Sequence, residues 1–407
     1  MKKSGFTLHE QLSVISEQLS IIFARKIFID FNMPMTTYLD CNATTPMEPA
    51  VCDAVLKYMT TEFGNAGSRT HEFGGRAKQA VQNARDKIAE MVAASREEVI
   101  FTSGATESNN LAILGLKTYG EQNAKKHIVS TQIEHKAVLE PLAILKKSGF
   151  DVTLVPPTKG GWVEPDAIKD AVRDDTLLVS VMHVNNETGI IQPLAEIAER
   201  LATHPAYFHV DAAQGFGKDI PTLRHPRIDL ISASSHKIYG PKGVGTLIVR
   251  RRAYQKVPLT ALMYGGGQER GLRPGTLPVH LIVGFGVATE LALKQAEKRA
   301  NICRVFRDQV LEGLAPLKPV IHGDPARCLP HVINFSVDGL DSEAAMLALK
   351  GLVAISNGSA CTSSSYTPSH VLKAMGEIQG SLRMSWCHRT EQVNWAEIVK
   401  CLNRILS

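Results

Sequence analysis

The sequence predicts an α/β protein: a large domain on a mainly parallel, seven-stranded sheet, followed by a smaller α+β C-terminal domain. Three observations predict it. Between about Tyr38 and Arg251, short apolar runs alternate with segments of helical periodicity. A long helical stretch from Val279 to about Leu314 ends that alternation, and a smaller set of strand-like runs follows it. The chain has 407 residues, which is long for one core, so two domains are expected.

Seven runs read as strands: Val99–Thr102, His127–Thr131, Val152–Pro156, Thr176–His183, Tyr207–Val210, Leu230–Ala233 and Val244–Val249. Their length and Val/Ile content suit strands buried on both faces. Between them, Ala77, Ala80, Val81, Ala84, Ile88 and Met91 fall on one helix face. His135–Lys147 and Pro193–Ala202 have similar spacing, the second with proline in its first turn. Alternation of this kind places helices on both faces of the sheet. Beyond the long helical segment, His331–Ser336 and Ser381–Trp386 read as strands and Glu391–Leu406 as a closing helix. The expected division is 48–295 for the large domain, with 36–47 and 296–407 forming the small one.

Composition excludes several classes. Hydrophobic residues make up 44% and charged residues 21%, which are globular values. The net charge of +5 is small and no basic run occurs, so direct sequence-specific nucleic-acid binding is not expected. No apolar run reaches membrane-spanning length. Seven scattered cysteines without a CxxC pair argue against a zinc site or a disulfide framework, and for a reducing, cytoplasmic setting. The fourteen histidines form no metal-ligand pattern, so no metal is expected. Residues 1–35 read as a poorly ordered extension, with Met33 or Met35 as candidate starts; the alternative is a docking helix over Val14–Phe31.

In parallel sheets, ligands bind at the carboxyl ends of the strands. Polar clusters sit at those ends: Ser103–Glu107, Asn185–Glu187, Asp211–Gln214 and Ser234–Lys237. Their equivalent places predict one shared pocket. The Gly/Ser-rich loop Gly358–Ser365 carries Cys361 among polar neighbours, unlike a packed structural thiol.

The segments YLDCNATTP, FGNAGSRTHEFG, FTSGATESNN, EHKAV, MHVNNETG, HVDAAQ, SSHKIYGPKGVG, GGGQERGLRPGTLP and NGSACTSSS occur in this order. Together they resemble the NifS/IscS-type cysteine desulfurases. These are enzymes of the class V aminotransferase family with the type I fold of pyridoxal-phosphate (PLP) enzymes. That resemblance implies PLP as cofactor, L-cysteine as substrate and a homodimer as the working form. Lys237 would be the Schiff-base lysine and the base at the substrate Cα. Asp211 would pair with the ring nitrogen, Gln214 would bond the ring hydroxyl, and Asn186 would lie near both ring and substrate. His135 would stack on the ring and relay protons. Ala105, Thr106, Ser234 and His236 would hold the phosphate, with Thr276 reaching it from the neighbouring subunit. Arg383 would grip the substrate carboxylate. Cys361 would receive the sulfur as a persulfide, leaving L-alanine, and pass it to an acceptor protein.

Three departures accompany the resemblance. Ser235 stands where the family commonly has a smaller residue. Trp386-Cys387-His388 replaces a Leu-Gly-Arg run, which displaces Arg389 by one position and raises Cys387 as either a second reactive thiol or a packed one. The chain ends at Ser407 without the long tail that the housekeeping iron–sulfur enzymes use for scaffold docking. The segment HVDAAQGFGKDIP and the 339–376 region look closer to the desulfurases of bacterial DNA phosphorothioation (Dnd/Ssp-type) systems. Sulfur supply for iron–sulfur clusters or tRNA thiolation, or selenocysteine lyase activity, is the alternative.

Overall fold

The computed structural model describes residues 36–357, 369–377 and 380–406. The extension 1–35 and the loop Gly358–Ser365 with Cys361 lie outside the described residues. Twelve strands are numbered in chain order. β1 is Thr37–Tyr38, β2 Val99–Thr102, β3 His127–Thr131, β4 Asp151–Val155, β5 Thr176–Met182 and β6 Tyr207–Asp211. β7 is Leu230–Ser234, β8 Gly245–Val249, β9 Val320–Ile321, β10 Val332–Ser336, β11 Val353–Ala354 and β12 Leu382–Ser385.

All seven runs expected in the first half are strands of one sheet, ordered β2-β8-β7-β6-β5-β3-β4. From β7 to β4 every pairing is parallel. β8 instead runs antiparallel to both β7 and β2. The cause is the connection. Only residues 235–244 lie between β7 and β8, and they hold one short turn, Ser235–Lys237, with no crossover helix to return the chain to the starting edge. β2, β3, β5, β7 and all but the first residue of β6 are buried throughout, while the edge strand β4 leaves Asp151 and Leu154 exposed.

Helix Glu72–Met91 buries the predicted stripe Ala77, Ala80, Val81, Ala84, Ile88 and Met91. Helix Lys136–Lys147 begins where His135 accepts a bond from the Ala137 amide through Nδ1 at 3.1 Å. The long helix is Val279–Leu314, and its first half packs on Glu72–Met91. Its second half belongs to another core.

That second core combines the antiparallel sheet β12-β10-β9, the parallel pair β1-β11 and helix Trp395–Leu406. Leu39, Phe306, Phe335, Met384, Trp386, Ile398 and Leu402 fill it. The closing helix starts at Trp395, four residues later than its apolar pattern suggests. Asn394 accepts from the Glu397 amide at 3.2 Å and so caps the helix there. Leu39 joins this core from the N-terminal end of the described chain, and the segment after it crosses to the large sheet.

Candidate active site

A cavity of about 570 Å³ opens at the carboxyl ends of the parallel strands. Ala105, Thr106, His135, Asn186, Asp211, Gln214, Ser234, His236, Lys237 and Arg383 all line it. Ten residues expected from separate segments therefore share one space.

Lys237 ends the short turn after β7. Its Nζ donates to the carbonyls of Asn42 and Ala43, the latter at 2.9 Å. Asp211 is the last residue of β6 and is 5% exposed. Its carboxylate accepts from the Ala213 amide at 2.9 Å and from Asn109 Nδ2 at 2.7 Å. Gln214 Nε2 donates to the Asn42 carbonyl at 2.9 Å.

At the other end, helix Ala105–Leu114 starts against the cavity, so its first amides and its dipole favour an anion. Ser234, His236 and Lys242 stand around it. His236 Nδ1 meets Thr44 Oγ1 at 3.1 Å. Burial, helped by the charges of Lys237, Lys242 and Lys218, pulls the His236 pKa down to about 4, so the ring is neutral at pH 7. Gly245 makes this corner possible. A Cβ there would lie 2.5 Å from the Ala233 carbonyl oxygen and 2.5 Å from the Gly104 Cα. Only glycine lets β8 pass directly beneath the turn that opens the helix.

His135 caps its helix through Nδ1, so the neutral ring carries its proton on Nε2. Burial lowers its pKa, against the opposing pull of Asp211. Just before it, Glu134 is fully buried and accepts from Thr131 Oγ1 at 2.7 Å and the Met182 amide at 2.8 Å. Burial raises its pKa to about 8.

Arg383, in β12, is 4% exposed. Nη2 lies 2.6 Å from Asp40 Oδ1, and Nη1 donates to the Asn186 carbonyl at 3.0 Å. The same carbonyl accepts from Asn42 Nδ2 at 3.1 Å. Cationic Lys237, Lys242 and Arg383 face acidic Asp40, Glu107 and Asp211 across the cavity. Asp40 is held by Arg383, and Glu107 by Arg273 at 2.9 Å.

Asp40, Asn42 and Asn109 also line the cavity, and the sequence reading assigns them no role. The first two lie in the motif YLDCNATTP and the third in FTSGATESNN, so motif membership is the signal that could have found them. Thr276 lies elsewhere, in a separate cavity of about 270 Å³ shared with Asn65, Gly67, Arg85 and Gln268. Arg389 does not line the main cavity; its Nη1 donates to the Met47 carbonyl at 3.1 Å. Cys387 is buried, 4% exposed, beside Cys41 and Tyr239. Cys361 is outside the described residues. The chain on either side of it is tied near the cavity. The Ser356 amide donates to the Arg383 carbonyl at 3.2 Å, and Ser369 Oγ donates to buried Glu187.

The donor set fits PLP. A ring nitrogen that carries a proton finds a buried carboxylate in Asp211, and a phosphate finds a helix start. Four buried polar atoms on cavity-lining residues have no hydrogen-bond partner among the described residues: Asn42 Oδ1, Asn109 Oδ1, Gln214 Oε1 and Arg383 Nε. Unpartnered buried groups of this kind are costly in an apo fold and are expected where a polar ligand completes them.

Residues 37–395 match the family described as Aminotransferase class-V. The chain is 46% identical over 345 residues to the cysteine desulfurase IscS of Methylococcus capsulatus, covering 84% of this chain and 85% of that protein. The crystal structure of DndA from Streptomyces lividans matches with a TM-score of 0.76 and 50% identity, over 86% of this chain and 99% of that one. A structure of SspA in complex with cysteine matches at 35% identity and a TM-score of 0.76, over 86% and 98%.

Proposed function

We propose, from the premise that this chain belongs to the class-V aminotransferase family and within it to the cysteine desulfurases, that it moves the sulfur of L-cysteine onto Cys361 with PLP held by Lys237. The observation that carries this reading is the single cavity that joins an amine, a buried carboxylate and a buried guanidinium.

Lys237 would hold the cofactor through its aldehyde, and Asp211 would pair with its ring nitrogen. Gln214 would bond the ring hydroxyl, and His135 would cover the ring. The Ala105 and Thr106 amides, Ser234 and His236 would hold the phosphate. When bound, the cofactor supplies an electron sink for charge that develops at the substrate Cα. Arg383 would orient the substrate through its carboxylate, while Asp40 and the Asn186 carbonyl fix the guanidinium plane. The Lys237 amine is the group that would move the Cα proton. The Cys361 thiolate then attacks the substrate sulfur. An S–S bond forms as the substrate's Cβ–S bond breaks and the bonding pair stays with carbon; a proton at Cβ and the return of one to Cα complete L-alanine. A thiol has an ordinary pKa of about 8.5, so the site must first deprotonate it.

Thr276 completes the phosphate site from a partner subunit in a homodimer. Its separate cavity supports this, as do exposed Phe63, Leu262, Met263 and Tyr264 on the described surface. The two hydrophobic cores support a large domain at 48–295 and a small one from 36–47 and 296–407. The six cysteines among the described residues are free thiols, which fits a cytoplasmic setting. No described helix is long and apolar enough to cross a membrane. The persulfide passes to an acceptor protein. Similarity to DndA supports DNA phosphorothioation as the destination, and similarity to IscS supports iron–sulfur or tRNA sulfur supply.

Mass spectrometry after exposure to L-cysteine tests the chemistry. A persulfide on Cys361 and stoichiometric L-alanine are expected. Cys361→Ser should keep the yellow cofactor and lose alanine formation, whereas Lys237→Ala should lose the internal linkage. Full turnover by Cys361→Ser would overturn the assignment. Co-purification of the acceptor separates the two destinations.

A further inference from the structure

Cys41 and Cys387 come from opposite ends of the described chain and meet just behind the wall of the active site. The Cys41 amide donates to the Ser385 carbonyl at 3.0 Å, and the Asn42 amide to Ser385 Oγ at 2.9 Å. The turn after β1 is thereby bound to the end of β12. Both cysteines are buried, at 2% and 4% exposure, and they pack with Tyr239 in a cluster of their own.

The Cys41 side chain packs in one cluster with that of Cys387. The Cys387 sulfur accepts from the Arg389 amide at 3.4 Å and from Thr390 Oγ1 at 3.7 Å. Two donors on one sulfur favour its thiolate. The Cys387 pKa is accordingly drawn down and that of Cys41 pushed up. The half-buried Lys218 amine, 3.1 Å from His331 Nε2, adds a positive potential that favours the thiolate of Cys41. Beside Tyr239 lies a void of about 40 Å³ lined by Lys218, Cys303 and His331, room for one molecule near the size of water. A packed structural cysteine ordinarily has neither a thiol neighbour nor a donor set of this kind.

We propose that Cys41 and Cys387 are an oxidisable dithiol that closes to a disulfide when a peroxide reaches it. The Cys387 thiolate attacks one oxygen of hydrogen peroxide. The O–O bond breaks, and the leaving hydroxide takes up a proton as water, which leaves a sulfenic acid. The Cys41 sulfur attacks this sulfenic sulfur, the S–O bond breaks, and the second water leaves with the Cys41 proton. Two thiols lose two electrons, and one peroxide becomes two waters. The consequence reaches the catalytic lysine through one peptide bond. The carbonyl of Asn42, next to Cys41, accepts from both Lys237 Nζ and Gln214 Nε2. Closing the disulfide draws the Cys41 backbone toward Cys387 and shifts that carbonyl.

The test uses the full-length holoenzyme carrying Cys361→Ser, which removes the thiol assigned to the persulfide. After brief treatment with hydrogen peroxide, free thiols are alkylated and unreduced peptides are mapped. A peptide pair joined through Cys41 and Cys387, released by dithiothreitol, is expected, with a reversible change in the cofactor's visible absorption. Adding Cys387→Ala should abolish both signals. The peptide map of the parent protein stands by itself if that variant does not fold. Oxidation of half-buried Cys52 or Cys401, with Cys41 and Cys387 recovered as free thiols, overturns the proposal. A cross-link without any absorption change overturns the coupling to Lys237.

Discussion

Replacing Asp211 by Asn separates what this residue does for the fold from what it does for the chemistry. The side chain is 5% exposed and accepts from the Ala213 amide and from Asn109 Nδ2. Asn occupies the same volume, and its oxygen keeps the Ala213 bond. Its NH₂ would then face the Asn109 nitrogen, but Asn109 can turn its amide over because its Oδ1 has no partner. The cost to the fold is therefore about 1 kcal/mol or less. What disappears is the negative charge proposed to sit opposite a protonated ring nitrogen. A charge-assisted bond is worth about 1.5–3 kcal/mol, and stripping one partner from a buried pair costs about 3–5 kcal/mol. At about 1.4 kcal/mol per decade, kcat/KM for alanine release should fall roughly 10²- to 10³-fold. The melting temperature should move by less than about 3 °C. Alanine release from L-cysteine and a thermal melt of the same preparation give both numbers. A loss below tenfold, or a melting drop above about 8 °C, would refute the reasoning.

Gly245→Ala places a methyl 2.5 Å from both the Ala233 carbonyl and the Gly104 Cα, so the corner beneath the phosphate site must open. The expected overpacking cost is about 1–3 kcal/mol, with cofactor affinity weakened roughly tenfold or more by titration; unchanged affinity would clear this corner of the role. Arg383→Lys removes the planar fork from a buried site, and KM for L-cysteine should rise roughly 10- to 100-fold with a smaller effect on kcat. A fall in kcat at constant KM would count against carboxylate binding. For pH, His209 is fully buried and its pKa is depressed to about 3. The unfolded chain then binds the extra proton below about pH 6.5, so stability falls as pH drops through that range, by up to about 1.4 kcal/mol per unit. Glu134 runs the other way. Its raised value means that its contribution is present below about pH 4.5 and is lost as pH rises toward 8. Glu134→Gln should gain stability over the parent increasingly from pH 5 to 8 in denaturant melts; parallel profiles would contradict the buried neutral acid.

The seven strands of the large sheet were legible because each is a Val/Ile-rich run buried on both faces, a pattern set by local composition. The direction of β8 was not read, although the short connection after Ser234 carried the information. The strand-end clusters were legible for the same reason as the strands, since a parallel sheet sends all those ends to one side. Asp40 and Asn42 were harder. Their roles depend on contacts with Arg383, Asn186, Gln214 and Lys237, all more than 140 residues away, and no periodicity encodes such pairings. Asn109 is a buried polar residue within a helix, and only its partner Asp211 distinguishes it from a surface asparagine turned inward.

The Asp40–Arg383 contact spans 343 positions. At synthesis rates of about 5–20 residues per second, Asp40 leaves the ribosome roughly 20–70 s before its partner exists. During that interval the large sheet can assemble through its local crossovers, but the carbonyls that will receive Lys237 have no β12 to anchor them. The last strand made is thus a checkpoint on the first. A truncated product would carry a folded sheet with an unfinished pocket, and cofactor capture would report completion of the chain.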